Sequence, residues 1–346
     1  MKIGNFSINN NAKVFIIAEL SANHNRSKEI AIKTIRAAKR AGADAIKLQT
    51  YTADTMTIES DRLDFVINNG SVWDGKFLYQ LYKEAYTPWE WHKELFQVAK
   101  EEGLICFSTP FDNTAVEFLE TLDNPIYKIA SFEITDIPLI EYIASKGKPI
   151  ILSTGIATME DIELAIQTIR NQGNNEIALL KCTSSYPAPL EEANLTMIKD
   201  FKERFNVVSG LSDHTLGITA PVVATCLGAK IIEKHFILDH AIGGPDASFS
   251  LDEKEFTQMV KGVRNAEKAI GKLDYNLTDK QVKGKTFSRS LYIVKNVKKG
   301  EILTSKNIRS IRPGYGLHPK YYNQLLGKSF NDDFTKGTAL SLKMLQ

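Results

Sequence analysis

Cysteine is scarce in this 346-residue chain, and the three present, Cys106, Cys182 and Cys226, are widely spaced in apolar segments. An odd, scattered set excludes a disulfide framework and predicts reduced core thiols in a cytoplasmic protein. Charge of one sign is also lacking: 43 basic residues face 41 acidic ones, for a formal net charge of +2. No strong field therefore points to nucleic acid or a membrane surface, although a few placed lysines would suffice for a small anion. No apolar run approaches the roughly 18 residues of a membrane span, and the opening MKIGNFSINNNAKVF has no signal-peptide core. A G-x-G-x-x-G turn after the first strand-like run is missing too, which weighs against a dinucleotide fold.

What is there is repetition. Short apolar runs begin at Val14, Ala45, Ile105, Tyr127, Pro149, Ile177, Val207 and Lys230, and helical-period segments separate nearly every pair. The count and even spacing favour α/β architecture as a closed (β/α)8 TIM barrel over a doubly wound sheet. The predicted barrel covers 1–271. Thr52 to about Ala85, including NNGSVWDGKFLYQLY, is too long for an ordinary βα loop and is expected above the barrel mouth. After Gly271 a polar stretch, 272–286, reads as a linker, and 287–346 as a small, mostly β unit whose independent core would be poor, so that docking onto a barrel is expected.

In a barrel strand alternate side chains face inward, and function collects at the C-terminal ends. Parity therefore selects residues: Glu19 follows Phe15 and Ile17, Lys47 pairs with Gln49, Ser212 with His214, and Glu233 with His235. A lysine in an apolar run needs a compensating anion, so Lys47 and Lys128 suggest a carboxylate or phosphate ligand; the alternative is pairing with a nearby Asp or Glu. His214 and His235 end neighbouring strands, close enough to share a divalent cation or merely to hydrogen-bond at the mouth. Two histidines completed by carboxylate or water suit Mn2+ or Mg2+ better than a closed structural zinc site.

The ordered motifs IAELSANHN from Ile17, IKLQT from Ile46, FSTPFD from Phe107, YKIASFE from Tyr127 and LSTG from Leu152 make a set. KCTSSYPAP from Lys181, GLSDHT from Gly210, EKHF from Glu233, GGPDASFSL from Gly243 and RPGYG from Arg312 complete it. Together they resemble the sialic acid synthase family over nearly the whole chain, and the C-terminal unit looks like its antifreeze-like (SAF) domain. KIASFE in place of a KIGSGE-like string, AELSANHN, and WDGKFLYQLYKEAYTPWEWH look like one branch of that family. Its acceptor is 2,4-diacetamido-2,4,6-trideoxy-L-altrose, where other branches take N-acetylmannosamine or a 2,4-diacetamido-6-deoxy analogue.

The resemblance implies a condensation of phosphoenolpyruvate with a diacetamido sugar aldehyde, with phosphate leaving by C–O cleavage. It implies that Lys47, Thr109, Lys128, Ser131, Ser153, Ser184 and Ser212 hold phosphoenolpyruvate, that Gln49 and Tyr186 line the pocket, and that His214 and His235 bind Mn2+, Mg2+ or Co2+. Glu19 and Asp246 would manage the proton of the attacking water and Glu133 would face the sugar hydroxyls, unless each is a structural partner of a lysine or helix N-terminus. It further implies a domain-swapped homodimer in which Arg312 reaches an acetamido oxygen and Phe287 lies near the sugar; the alternative for Arg312 is a solvated turn residue. A rival of another class is a non-catalytic sugar-binding or ice-binding module.

Overall fold

A computed structural model describes residues 1–9, 12–68, 70 and 73–346. Asn69, Ser71 and Val72, within the segment expected over the mouth, and Asn10 and Asn11 lie outside the described residues. The chain forms two compact units, Met1–Gly271 and Lys272–Gln346.

The first unit opens with a hairpin of β1 (Lys2–Ile3) and β2 (Phe6–Ser7). The strands β3 (Phe15–Glu19), β4 (Ala45–Thr50), β5 (Ile105–Pro110), β6 (Tyr127–Ile129), β7 (Ile150–Ser153), β8 (Ile177–Cys182), β9 (Val208–Asp213) and β10 (Ile231–His235) follow. They pair in parallel and close into a barrel, β10 returning to β3. Helices α1 (Lys28–Arg40), α2 (Ala53–Met56), α3 (Leu78–Ala85), α4 (Trp89–Glu101), α5 (Asn113–Glu120), α6 (Ile137–Ala144), α7 (Met159–Asn171), α8 (Met197–Phe205), α9 (Thr219–Cys226) and α10 (Glu253–Ile270) connect them. The α/β TIM-barrel expectation holds. Three helices rather than one separate β4 from β5.

The pleat sorts each strand into two faces. One parity (Ile16, Ala18, Ile46, Leu48, Ile129, Ile150, Leu152, Leu179) packs outward against the helices. The other (Phe15, Ile17, Ala45, Phe107, Ile151, Ala178, Leu180, Ile231) fills the barrel's N-terminal half, where Ile3 and Ile8 join it from the hairpin region. Space there is tight: a Cβ on Gly210 would come within 2.4 Å of the Ile231 carbonyl oxygen, so β9 needs glycine in that layer. Polar residues of the inward parity are thereby stacked above an apolar plug.

Helix ends follow local chemistry. Thr158 and Asp161 form a capping box on α7, and Asp252 and Glu255 form another on α10. Cys106 and Cys182 are buried, but Cys226, expected in the core, is exposed because it ends α9 on its solvent side.

The second unit begins with a polar stretch carrying a short helix, α11 (Asp279–Gly284). Strand β11 (Ser290–Ile293) pairs antiparallel with β12 (Ile308–Ile311), and α12 (Tyr322–Leu325) follows. Residues 337–345 contribute isolated bridges and a 3-10 turn. A small core, including Leu291, Ile293, Val297, Ile308 and Phe330, holds it together.

Candidate active site at the barrel mouth

Strand register brings the inward polar residues together. Glu19 stands opposite Lys47 on β4 and His235 on β10, and Ser212 stands opposite Cys182 and Glu233. Lys47 Nζ lies 2.9 Å from Glu19 Oε2, 3.2 Å from Glu233 Oε1 and 3.3 Å from Thr109 Oγ1. Lys128 Nζ lies 3.7 Å from the same Glu233 oxygen, to which Ser212 Oγ donates at 3.1 Å. Lys47 is 4% exposed and Lys128 2%, so both cations are out of water. Both therefore have the carboxylate partners that the sequence left as the alternative, and both nevertheless meet at one place.

Two carboxylates around two lysines in a dry site do not titrate alike. Burial pushes Glu19 up to about 7 against the pull of Lys47. Burial also opposes ionisation of Glu233, but Lys128 and Lys47 outweigh it and hold that group below its usual range. Burial lowers Lys128, with Glu233 pulling the other way, whereas on Lys47 the two glutamates overcome burial and raise it. Glu233 is thus the fixed anion of the cluster and Glu19 the group poised to hold or release a proton.

Beside this floor the hydroxyls of Ser131 and Ser184 lie 2.6 Å apart, and the buried Ser153 hydroxyl has no hydrogen-bond partner. Gly155 makes the serine pair possible: a Cβ there would fall 2.1 Å from Ser184 Oγ and 2.5 Å from Ser131 Oγ. Gln49 Nε2 donates to Glu19 Oε1 at 3.1 Å and to Ser21 Oγ at 3.0 Å, and Ser21 Oγ donates to Asp246. Burial raises Asp246 above the ordinary aspartate range despite that bond. Burial likewise pushes Glu133 up to about 7, against Lys128, and leaves its Oε2 without a hydrogen bond.

The His214 and His235 rings are 5.3 Å apart. His214 Nδ1 lies 3.0 Å from the Thr183 carbonyl oxygen, which can only accept, so in the neutral ring Nε2 carries the lone pair. His235 Nδ1 is buried with no hydrogen bond and sits 3.8 Å from Asp246 Oδ2. Burial, reinforced by His214 and Lys47, holds His235 well below its ordinary pKa and so neutral. His214 shifts the other way, raised against burial by Cys182 and the Thr183 carbonyl, so a divalent cation held by the two imidazoles beside the carboxylate would displace its proton. The buried ion pair of Lys234 and Asp213, 2.6 Å apart on the outward face, anchors the turn from which His214 faces inward. Among the described residues a separate trio, His240, Asp252 and Glu255, gathers its donor atoms within 4.8 Å, but its carboxylates already cap α10.

The mouth encloses a cavity of about 370 Å3, bordered by Ser21, Gln49, Glu133, Tyr186, His235 and Asp246. Tyr186 lies against His214 with ring centroids 4.5 Å apart, and against Trp73 at 5.3 Å and Phe249 at 5.2 Å. Of the residues singled out in the sequence, Gln49, Glu133, Tyr186, His235 and Asp246 border this cavity, Glu19, Thr109, Lys128 and Ser212 gather around Lys47 and Glu233, and Ser131 and Ser184 pair with each other. Arg312 and Phe287 belong to the second unit and are exposed. Glu233, Ser21, Gly155, Trp73 and Phe249 received no role from the sequence. For Glu233 the inward parity of KIIEKH was the available signal; the other four depend on which loops meet.

Residues 34–275 match the NeuB family and residues 288–346 the SAF domain. Pseudaminic acid synthase of Campylobacter jejuni subsp. jejuni serotype O:23/36 (strain 81-176) is 52% identical over 98% of each chain. The enzyme of that name from Helicobacter pylori is 47% identical over 94% of this chain and 96% of its own. A crystal structure of N-acetylneuraminic acid synthetase from Leptospira borgpetersenii serovar Hardjo-bovis, in complex with citrate, superposes with a TM-score of 0.73 and 31% identity, covering 82% of this chain and 94% of that one. With a family match over most of its length and full-length relatives at this identity, the chain belongs to the NeuB family.

Proposed function

We propose that the chain is a pseudaminic acid synthase, joining C3 of phosphoenolpyruvate to the aldehyde of 2,4-diacetamido-2,4,6-trideoxy-L-altrose and releasing phosphate by C–O cleavage. The observation that carries this reading is the meeting of Lys47 and Lys128 on one buried carboxylate oxygen, beside two imidazoles 5.3 Å apart. The relatives at 52% and 47% identity support the choice of acceptor.

The two lysines supply fixed charge to the phosphate and carboxylate of phosphoenolpyruvate, and Thr109, Ser131, Ser153, Ser184 and Ser212 supply directed donors. Gln49 and Tyr186 border the cavity of the mouth. His214 and His235 would hold the divalent cation, Mn2+, Mg2+ or Co2+, with Asp246 alongside; when bound, the ion acts as a Lewis acid toward the sugar carbonyl. Carbon–carbon bond formation leaves a cationic C2 that water captures. Glu19, its pKa near 7, takes the proton of that water, and Asp246 supplies one to the new alkoxide. Glu133 orients the sugar hydroxyls. The proposal extends to a domain-swapped homodimer, in which Arg312 would reach an acetamido oxygen of the sugar, working in the cytoplasm.

Mass spectrometry of the product, with the trideoxy altrose, N-acetylmannosamine and the legionaminic precursor offered separately, tests the reading. A nonulosonate from the first sugar is expected; turnover of N-acetylmannosamine alone would replace it with a sialic acid synthase.

A further inference from the structure

The cavity at the mouth has two unlike sides, and Ser21, Gln49, Glu133, His235 and Asp246 make the polar one. The other is built by the segment between β4 and β5. There Ile67 N–H donates to the Lys76 carbonyl at 2.9 Å and Val66 bridges Phe77, closing the segment so that Ile67 and the start of α3 come together. Helix α3 then presents Leu78, Leu81, Tyr82 and Ala85, spaced i, i+3, i+4 and i+7, and all four border the cavity, as do Ile67 and Met56. A stripe with this spacing ordinarily seals a helix onto the core. On α3 it faces the space in which the substrate is to be held. The one hydroxyl of the stripe, on Tyr82, belongs to a ring packed edge-on to Tyr51, centroids 5.9 Å apart.

We infer that the α3 stripe selects the acceptor, its leucines Leu78 and Leu81 receiving a deoxygenated, methyl-terminated end of the sugar. This rests on the synthase reading above and adds the residues that choose among acceptors. A methyl group covers apolar surface that water would otherwise wet. A hydroxymethyl group at the same place buries a hydroxyl against leucine side chains that offer it no hydrogen bond. An apolar pocket rejects an added hydroxyl by only about 100-fold, which sets the scale expected.

The experiment compares kcat/KM for the 6-deoxy acceptor and its 6-hydroxy counterpart in the wild type and in Leu78→Asn, Leu81→Asn and the volume-conserving Leu81→Met. The wild type is expected to prefer the deoxy sugar by about 10- to 100-fold. The asparagine variants should shrink that ratio at least fivefold, mainly through a raised KM for the deoxy sugar, and Leu81→Met should preserve it. Equal use of the two sugars by the wild type overturns the inference without any variant being needed. So does an unchanged ratio in both asparagine variants with wild-type circular dichroism. Failure of the wild type to use the deoxy sugar at all, while using N-acetylmannosamine, overturns the acceptor reading itself and removes the occupant assigned to the stripe.

Discussion

Lys47 and Glu19 stand opposite one another on adjacent strands, Nζ 2.9 Å from Oε2, both almost wholly removed from water. Breaking a buried pair by deleting one partner leaves an uncompensated charge, a loss of about 3–5 kcal/mol. Lys47→Met should therefore lower the unfolding free energy by about that much. Urea denaturation measures it, and the double variant Lys47→Met with Glu19→Gln should regain part of the loss. A second substitution that only adds to the first would show that the two groups do not compensate each other.

Glu133 gives the stability profile a definite sign. Burial raises its pKa from 4.5 in the unfolded chain to about 7 in the fold, so the native state holds the proton more tightly. Its stabilising contribution is fully present below 4.5 and fades as pH rises through 7. At about 1.4 kcal/mol per pKa unit, the loss reaches at most about 3 kcal/mol above that window. Glu133→Gln should flatten this slope, gaining on the wild type between pH 5 and pH 8 in paired denaturation curves. Parallel curves for the two proteins would contradict it.

Gly155 has no chemistry of its own, yet its missing Cβ leaves the room in which Ser131 and Ser184 meet. In Gly155→Ala the two hydroxyls must part, and KM for phosphoenolpyruvate should rise by about tenfold, the value of about 1.4 kcal/mol of lost binding, with a small change in Tm. An unchanged KM would show that the serine pair does not contact that substrate.

The imidazole pair predicts metal dependence. Chelator-treated protein should lose activity and regain it with Mn2+, Mg2+ or Co2+. His235→Asn should show no saturable Mn2+ binding by calorimetry, since the ring whose Nδ1 is buried without a hydrogen bond is gone. Wild-type Mn2+ affinity in that variant would remove His235 from the site.

Much of the mouth was legible because the pleat is a local property. Strand parity alone sends Glu19, Lys47, Gln49, Ser212, Glu233 and His235 to one face, and the apolar runs around them mark that face as interior. Parity does not say which charges are shared. That Glu233 serves both Lys47 and Lys128 depends on β10, β4 and β6 facing one another across the lumen. The exposure of Cys226 escaped for a similar reason, since an apolar neighbourhood in sequence does not reveal which side of α9 meets the barrel.

The amino-acid sequence by itself determined the alternation of strands and helices, the inward or outward direction of each strand residue, and the caps that start the helices, because these depend on neighbours a few residues away. Only the tertiary structure decided that β10 closes onto β3 and sets His235 level with Glu19, that the Ser131 and Ser184 loops meet over Gly155, and that the stripe of α3 borders a cavity rather than a core. Those relations join segments far apart in the chain, and they arise from barrel closure and side-chain packing.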